Sequence, residues 1–304
     1  MQLDFVYRVY QIYTQSYSDK KKLIAVSFGQ DSISLLFILF YIQQTLKHSI
    51  HLLHCNHFYQ TNNFYILREG FKISYLVNSN LIVSCPINTL QTETKQRLWR
   101  HRIFKRTVNL VKLNSIYLGH TKTDKIETIL FNLFRGSNLT NLSNFTDQSI
   151  YFDHECFKNS RNNLFVQINP VSKIKFFRPL FNISRQTVKN IIKNNKIPNL
   201  IDFSNFDIQF SRNKIRLLLV PLLKLYFNHN IETQIERTLL QAELDNVYFK
   251  KVITKLLVNK RQINKSKFKK LSKAEKYRFL KQVVTCYSGK DVNFNLIKKL
   301  ETKI

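Results

Sequence analysis

The sequence predicts an α/β protein, with a doubly wound, mostly parallel sheet followed by a C-terminal helical domain. Two patterns predict it. Apolar runs of strand length alternate with helix-period stretches through the first half of the chain, the order produced when crossover helices join parallel strands. After about Pro221 the pattern is helical throughout and richest in lysine. We place the boundary between residues 218 and 219, giving domains 1–218 and 219–304.

Leu23–Val26 reads as the first strand and Ser32–Gln44 as the helix after it. Ile50–Cys55 is the second strand, followed by a helical pattern near Phe64–Val77. Leu81–Cys85 is the third, followed by a basic helix over Thr92–Lys112. Ser115–Leu118 is the fourth, and its helix ends at Arg135-Gly136 with Gly136 just past the last turn. Ser137–Gln167 is rich in Asn and Ser and aperiodic, which suits a long loop or a weak hairpin. From Arg178 the pattern is helical, broken at Pro198 and by the polar stretch Asp202–Asp207. No internal repeat is visible.

Lys and Arg number 48 against 19 acidic residues, a formal charge of +29. A field of that sign draws in polyanions, so nucleic acid is the partner it points to, with an anionic membrane surface as the alternative. The longest apolar stretch, Ile33–Ile42, is half the roughly 20 residues that a bilayer span requires, so no membrane-crossing segment is expected. The opening Met1-Gln2-Leu3-Asp4 lacks the marks of a secretory signal. Cys55, Cys85, Cys156 and Cys286 form no CxxC pair, which argues against a zinc ribbon, a dithiol redox centre or a closely ligated Fe–S cluster.

Two turns carry the candidate chemistry. The first strand runs directly into Ser27-Phe28-Gly29-Gln30-Asp31-Ser32 and then an apolar helix. That layout aims backbone N–H groups and a helix N-terminus at one point and suits a phosphate. Gly29 is expected to supply an unusual backbone conformation, and Ser27 and Ser32 supply hydroxyls. Asp31 would repel a phosphate, so a bridging Mg²⁺ or a structural bond is expected for it; a plain helix cap by Asp31 or Ser32 is the alternative. The second turn is Gly119-His120-Thr121-Lys122-Thr123-Asp124-Lys125-Ile126-Glu127-Thr128. It gathers His120, Asp124 and Glu127 at the carboxyl end of the fourth strand, where open α/β sheets bind ligands, above a stripe of Ile126, Leu130 and Leu133. Its alternative is a capping box with Asp124 as N-cap and Glu127 at N3.

Basic surface is the third signal. Thr92–Lys112 interleaves Lys95, Arg97, Arg100, Arg102, Lys105 and Arg106 with Trp99, His101 and Phe104; Trp99 and Phe104 are expected in the core. Lys260–Lys270 holds six basic residues and no acid, and reads as a solvated face or an arm for RNA.

Ser27–Ser32 resembles the SGGxDS signature of N-type ATP pyrophosphatases at every fixed position except Phe28. Gly119–Thr128 is similar to the GHxxDDxxET motif of tRNA(Ile)-lysidine synthases, with Thr123 for the first Asp. Leu130–Ser137 also resembles that family, as do Glu93–Arg100 (ExxxRxxR), Arg178-Pro179-Leu180, and Asp202–Asn205 with Ser211–Arg216. Asn56-His57 is similar to the start of NHGLR, but Phe58-Tyr59-Gln60 departs from it. The matches run in order from Leu23 to about Pro221.

The resemblance implies a Rossmann-like, PP-loop ATPase fold. It also implies a reaction in which ATP adenylates the wobble cytidine of a CAU-anticodon tRNA(Ile) and free L-lysine then displaces AMP to give lysidine. Ser27, Phe28, Gly29, Gln30, Asp31 and Ser32 would hold ATP, and Asp31 and Asp124 would hold Mg²⁺. Asp124 would serve as metal ligand or base, Glu127 would grip the lysine ammonium, and Arg100 would pair with the lysine carboxylate or a phosphate. His120 would steady the α-phosphate, and Arg212 and Arg216 would bracket the adenylate or touch tRNA. On this reading residues 1–218 are catalytic and 219–304 bind tRNA. A homodimer is compatible with it, and a membrane is not involved. The scarcity of Ala (three) and Gly (five) beside abundant Lys, Asn and Ile fits A/T-rich coding, hence a plastid-encoded stromal protein or a bacterial cytoplasmic one. The rival readings are a tRNA thiolase of the same superfamily and a non-catalytic basic RNA-binding protein.

Overall fold

In a computed structural model of the protein, the described residues are 21–46, 48–56, 63–90, 92–137, 148–152, 173–200, 206–258, 262–263, 268–288 and 294–301. They fall into two compact units, the first ending at Glu232 and the second beginning at Thr233. Of the segments singled out above, His57–Gln60, Asp202–Asn205 and most of Ser137–Gln167 and Lys260–Lys270 lie outside the described residues.

The first unit is built on one sheet. Its strands are β1 (Lys21–Ala25), β2 (Ser49–Cys55), β3 (Asn80–Ser84), β4 (Ser115–Leu118), β5 (Gln148–Phe152) and β6 (Lys173–Phe177), in the order β3-β2-β1-β4-β6-β5. Every pairing is parallel except β5 with β6. Helices α1 (Gln30–Leu46), α2 (Asn63–Leu76), α3 (Glu93–Val111), α4 (Lys122–Phe134) and α5 (Arg185–Asn194) follow the strands. Alternation along each strand splits the core into two layers. Ile24, Leu52, Tyr117 and Phe177 pack with α1, whereas Leu23, Leu53, Ile116 and Phe176 pack with Phe104 and Val108 of α3. A strand buried on both faces reads as a continuous apolar run, which is why Leu23–Val26 is legible as central. Each such side chain contributes about 1.5–3 kcal/mol.

The ends of the helices follow from their sequences. Thr92 caps α3 by accepting the Lys95 amide at 3.3 Å, and Lys112 closes it in the left-handed region at φ 57°. Gly136 leaves α4 at φ 75°, the conformation its place in the sequence required. Phe104 is core as expected, whereas Leu133 of the expected α4 stripe is exposed and Ile129 is buried in its stead. The strands β5 and β6 were not separately expected; they pair as antiparallel neighbours on the edge that closes the sheet.

Beyond α5 the chain forms α6 (Ser211–Lys214), a π-helical turn (Ile215–Leu219) and α7 (Val220–Tyr226). Pro221 has no amide proton to donate to the residue four back, and the Val220 amide reaches Ile215 five back, so the ladder widens here. The second unit holds nearly all of α8 (Ile231–Leu256), a short ribbon of β7 (Leu257–Val258) and β8 (Gln262–Ile263), then α9 (Lys273–Ser288) and α10 (Phe294–Glu301). Phe268, Phe279, Leu280 and Ile297 form its core. Among the described residues no helix is long and apolar enough to cross a membrane.

Candidate active site

β1 and β4 are neighbours whose following helices belong to different crossovers, so the turns leaving them meet where the strand order reverses. Their approach is close. A Cβ on Gly119 would lie 2.9 Å from Ser32 Cα and 3.1 Å from the Asp31 carbonyl carbon, so only glycine lets the second turn rest on the first.

The Ser27–Ser32 turn is held by its own hydroxyls. Ser32 Oγ accepts the Ser27 amide at 3.2 Å and donates to the Gly29 carbonyl at 3.0 Å. The left-handed residue is Phe28, at φ 62°, and not Gly29. A bulky residue there costs about 1–2 kcal/mol of backbone strain. It is offset by burial: the ring is 0% exposed, lies 5.1 Å from the His54 ring, and packs so tightly on α2 that a Cβ on Gly70 would fall 2.5 Å from its Cε2. Its carbonyl accepts the Leu200 amide at 3.0 Å. The Phe28 side chain therefore anchors the turn from behind, while the Phe28 and Gly29 amides keep no protein partner among the described residues. Gln30 Nε2 and Asp31 Oδ1 are likewise buried with no bonding partner. Unpaired amides at a helix N-terminus fit a phosphate, and one uncommitted carboxylate oxygen fits Mg²⁺, which takes one or two carboxylates and completes its shell with phosphate oxygens and water.

The second turn does cap its helix, but in another register. Thr121 is the N-cap of α4 and Asp124 its N3 residue: Asp124 Oδ2 accepts the Thr121 amide and hydroxyl, both at 2.8 Å. Glu127 is free of capping and 2% exposed. The remaining carboxylate oxygens are taken by two arginines. Arg216 forks onto Glu127 at 2.7 and 2.8 Å and reaches Asp124 Oδ1 at 3.0 Å. Arg185 donates Nε and Nη2 to Asp31 Oδ2 at 3.0 and 2.8 Å, Nη2 to Asp124 Oδ1 at 2.9 Å, and sets Nη1 3.6 Å from Glu127. One guanidinium thus joins the carboxylates of both turns. With Asp124 saturated, Asp31 holds the open oxygen. Among the described residues no group of three or more metal-binding side chains forms a ready-made metal site.

Electrostatics divide the site. Burial pushes Asp31 above the ordinary carboxylate range, against the pull of Arg185. Burial likewise raises Glu127, against its fork with Arg216. Burial works in the same direction on Asp124, yet Arg185, His120, the Thr121 amide and Arg216 together hold it below the range. Beside this acidic group stands a basic one. Arg212 donates to Thr128 Oγ1 at 2.9 Å and sits 3.5 Å from Glu93. Arg100 is held below its ordinary pKa by burial and by Arg212 and Arg97, with Cys55 and Glu93 pulling the other way. His120 is crowded by protein yet open to solvent. The surrounding protein, with Arg178, Arg100 and Arg212, lowers its imidazole below the ordinary value of 6.5 against Asp124, so the neutral form dominates at pH 7. Burial pushes the Cys55 thiol up to about 12, which leaves it protonated and a poor nucleophile.

Asp31, Asp124 and Glu127 are therefore bridged by Arg185 and Arg216, and His120, Arg100 and Arg212 line the adjoining basic side. Sequence reasoning missed Arg185 altogether and placed Arg216 on the adenylate or the tRNA, not on the carboxylates of the second turn. A signal for Arg185 existed: it opens α5 immediately after the N-cap Ser184, where a cation opposes the helix dipole, and such a local violation marks a functional position. Arg216 was marked only by the Ser211–Arg216 resemblance, and it lies in the π-helical turn.

A family model described as a PP-loop domain matches residues 1–223. Curated relatives include a chloroplastic tRNA(Ile)-lysidine synthase of Staurastrum punctulatum, 27% identical across 77% of this chain and 53% of the relative. They also include a tRNA(Ile)-lysidine synthase of Synechocystis, 30% identical across 73% of this chain and 64% of the relative. The chain thus spans between half and two-thirds of the length of these relatives. A solved structure of a U34-tRNA thiolase from Methanococcus maripaludis has the same fold, with a TM-score of 0.54 at 14% identity over 77% of this chain and 78% of that one. Together with the paired turns, the family match over residues 1–223 establishes that the chain belongs to the PP-loop family.

Proposed function

We propose that this protein ligates free L-lysine to C2 of the wobble cytidine of CAU-anticodon tRNA(Ile), at the expense of ATP. The observation that carries the reading is the arginine-bridged contact between the phosphate-type turn and the acidic turn. The adenylated O2 and the attacked C2 belong to one carbonyl, so the groups serving the two steps must share one site. The lysidine synthases among the relatives support the substrate, and ATP binding comes with the PP-loop domain.

The cytidine O2 attacks the α-phosphorus and pyrophosphate leaves. The Phe28 and Gly29 amides, the α1 N-terminus and Gln30 stabilise its departing charge. Mg²⁺ on the open oxygen of Asp31 would add charge neutralisation. The lysine ε-amine then attacks C2 and AMP leaves, while the amine loses a proton to a carboxylate of the second turn. Asp124, the expected base, would take that proton on giving up an arginine contact. Glu127, clamped by Arg216, shapes the pocket that accepts the ammonium. Neutral His120 can donate to an α-phosphate oxygen, and Arg100 and Arg212 offer the adjoining positive surface to the lysine carboxylate or to RNA phosphates. Residues 1–218 would carry catalysis and the Lys-rich 219–304 would grip tRNA, in a plastid stroma or a bacterial cytoplasm. The raised thiol of Cys55 speaks against its serving as a thiolase nucleophile.

The test is incubation with ATP, labelled lysine and a CAU-anticodon tRNA(Ile) transcript, followed by nucleoside analysis. Label in a modified cytidine at the wobble position supports the reading; label absent from RNA, or incorporation dependent on a sulfur donor instead of lysine, overturns it.

A further inference from the structure

We propose that Arg185 is a positioning residue of the nucleotide site, which holds Asp31 by one oxygen and neutralises the acidic turn so that a triphosphate can approach. The inference deepens the proposed function but rests on ATP binding alone. Asp31, Asp124 and Glu127 stand together at the place where a polyphosphate would sit. Without cations among them, these carboxylates would repel it. Arg216 is committed mainly to Glu127 through its fork, and on Asp124 it shares a single oxygen. Among the contacts of the described residues, Arg185 reaches all three acids, and it supplies two bonds to Asp31. Because both of these fall on Oδ2, Oδ1 stays uncommitted.

The backbone delivers the guanidinium. The Arg185 amide lies 3.4 Å from Thr123 Oγ1, and the Lys122 amide donates to the Ile183 carbonyl at 2.8 Å, so the start of α5 is docked on the start of α4. Thr123, where the family pattern has Asp, is thus a neutral acceptor that adds no fourth negative charge. A cation at the first position of α5 opposes that helix's dipole; its three carboxylate partners outweigh the opposition.

The test is ATP titration of the full chain in EDTA, without lysine or RNA, so that Asp31 acts only as a charge and not as a metal ligand. Arg185→Gln should weaken ATP binding by at least about tenfold, as expected for loss of a charge-assisted contact. Adding Asp31→Asn to it should recover most of the loss, because the repelling charge goes with its partner. Raising the salt should shrink the defect, since repulsion is screened. Circular dichroism checks folding. If Arg185→Gln is unfolded, Arg185→Lys carries the test: it keeps the charge but loses the fork, should bind severalfold more weakly, and should also be rescued by Asp31→Asn. Wild-type affinity in Arg185→Gln or Arg185→Lys, or no rescue by Asp31→Asn, overturns the proposal. Failure of lysine transfer alone leaves it standing.

Discussion

Gly70 and Phe28 should behave as a single unit, and the pair gives a sharp stability prediction. A methyl at Gly70 would meet the Phe28 ring at 2.5 and 2.6 Å, distances at which the ring must move. Overpacking of this kind costs about 1–3 kcal/mol. Replacing a helical glycine by alanine otherwise stabilises by about 0.5–1 kcal/mol. Gly70→Ala should therefore destabilise the wild type by up to about 2.5 kcal/mol, the largest difference between these terms. Phe28→Gly itself loses about 3–5 kcal/mol of ring burial, partly offset by about 1–2 kcal/mol of relieved left-handed strain. In that background the clash is gone and Gly70→Ala should change sign, becoming stabilising. Urea unfolding followed through Trp99, the chain's one tryptophan and a residue of α3, reports on the first unit. Because the ring is attached to the phosphate turn, Gly70→Ala should also weaken ATP binding, whereas Tyr75→Ala on the exposed face of α2 should do neither. Equal effects of Gly70→Ala in both backgrounds would refute the reasoning.

Other consequences are independent of that pair. Gly119→Ala places a methyl against the Ser32 backbone, which cannot rotate away; ATP affinity should fall by about tenfold or more while the helical circular dichroism is kept. Cys55→Ser should retain turnover, and Cys55 should resist alkylation at pH 8, because its thiol titrates at about 12. Asp124 is held below its ordinary value of 3.8, so its charge stabilises the fold above that value, and the stabilisation is lost as pH falls through the lower folded one. Asp124→Asn should consequently flatten the acid limb of a urea-midpoint profile below about pH 5, where the unfolded chain begins to bind the proton, and an unchanged slope would contradict the assignment. Asp31 and Glu127, both raised, act with the opposite sign: their ionisation costs stability as pH rises through their folded values.

Much of this architecture is legible in the sequence because it rests on local rules. The central strands are continuous apolar runs, Thr92 is a capping residue in a capping position, and Gly136 sits where a helix must leave in the left-handed region. What was not legible depends on contacts between distant residues. Arg185 meets Asp31 across 154 positions, and Arg216 meets Asp124 across 92. The strained residue of the phosphate turn is Phe28 and not the adjacent Gly29, because a cavity over Gly70 rewards a ring there, and nothing near Phe28 in sequence announces that cavity. The capping register was misplaced by three residues, since Thr121 and Asp124 fit the cap pattern as well as Asp124 and Glu127 do. The edge strand β5 and its neighbour β6 lie in or beside a polar, aperiodic stretch, and β5 is completed only by its pairing with β6.

The central claim is that one turn activates the tRNA and the adjoining turn delivers the amine to the carbon that bears the activated oxygen. The most direct measurement uses α-labelled ATP with CAU-anticodon tRNA(Ile) and no lysine, followed by a lysine chase. The wild type should place label on the RNA and release it as AMP when lysine is added, whereas Glu127→Gln should form the labelled RNA and release AMP far more slowly. RNA that never acquires label, or a chase in Glu127→Gln as fast as in the wild type, would contradict the account.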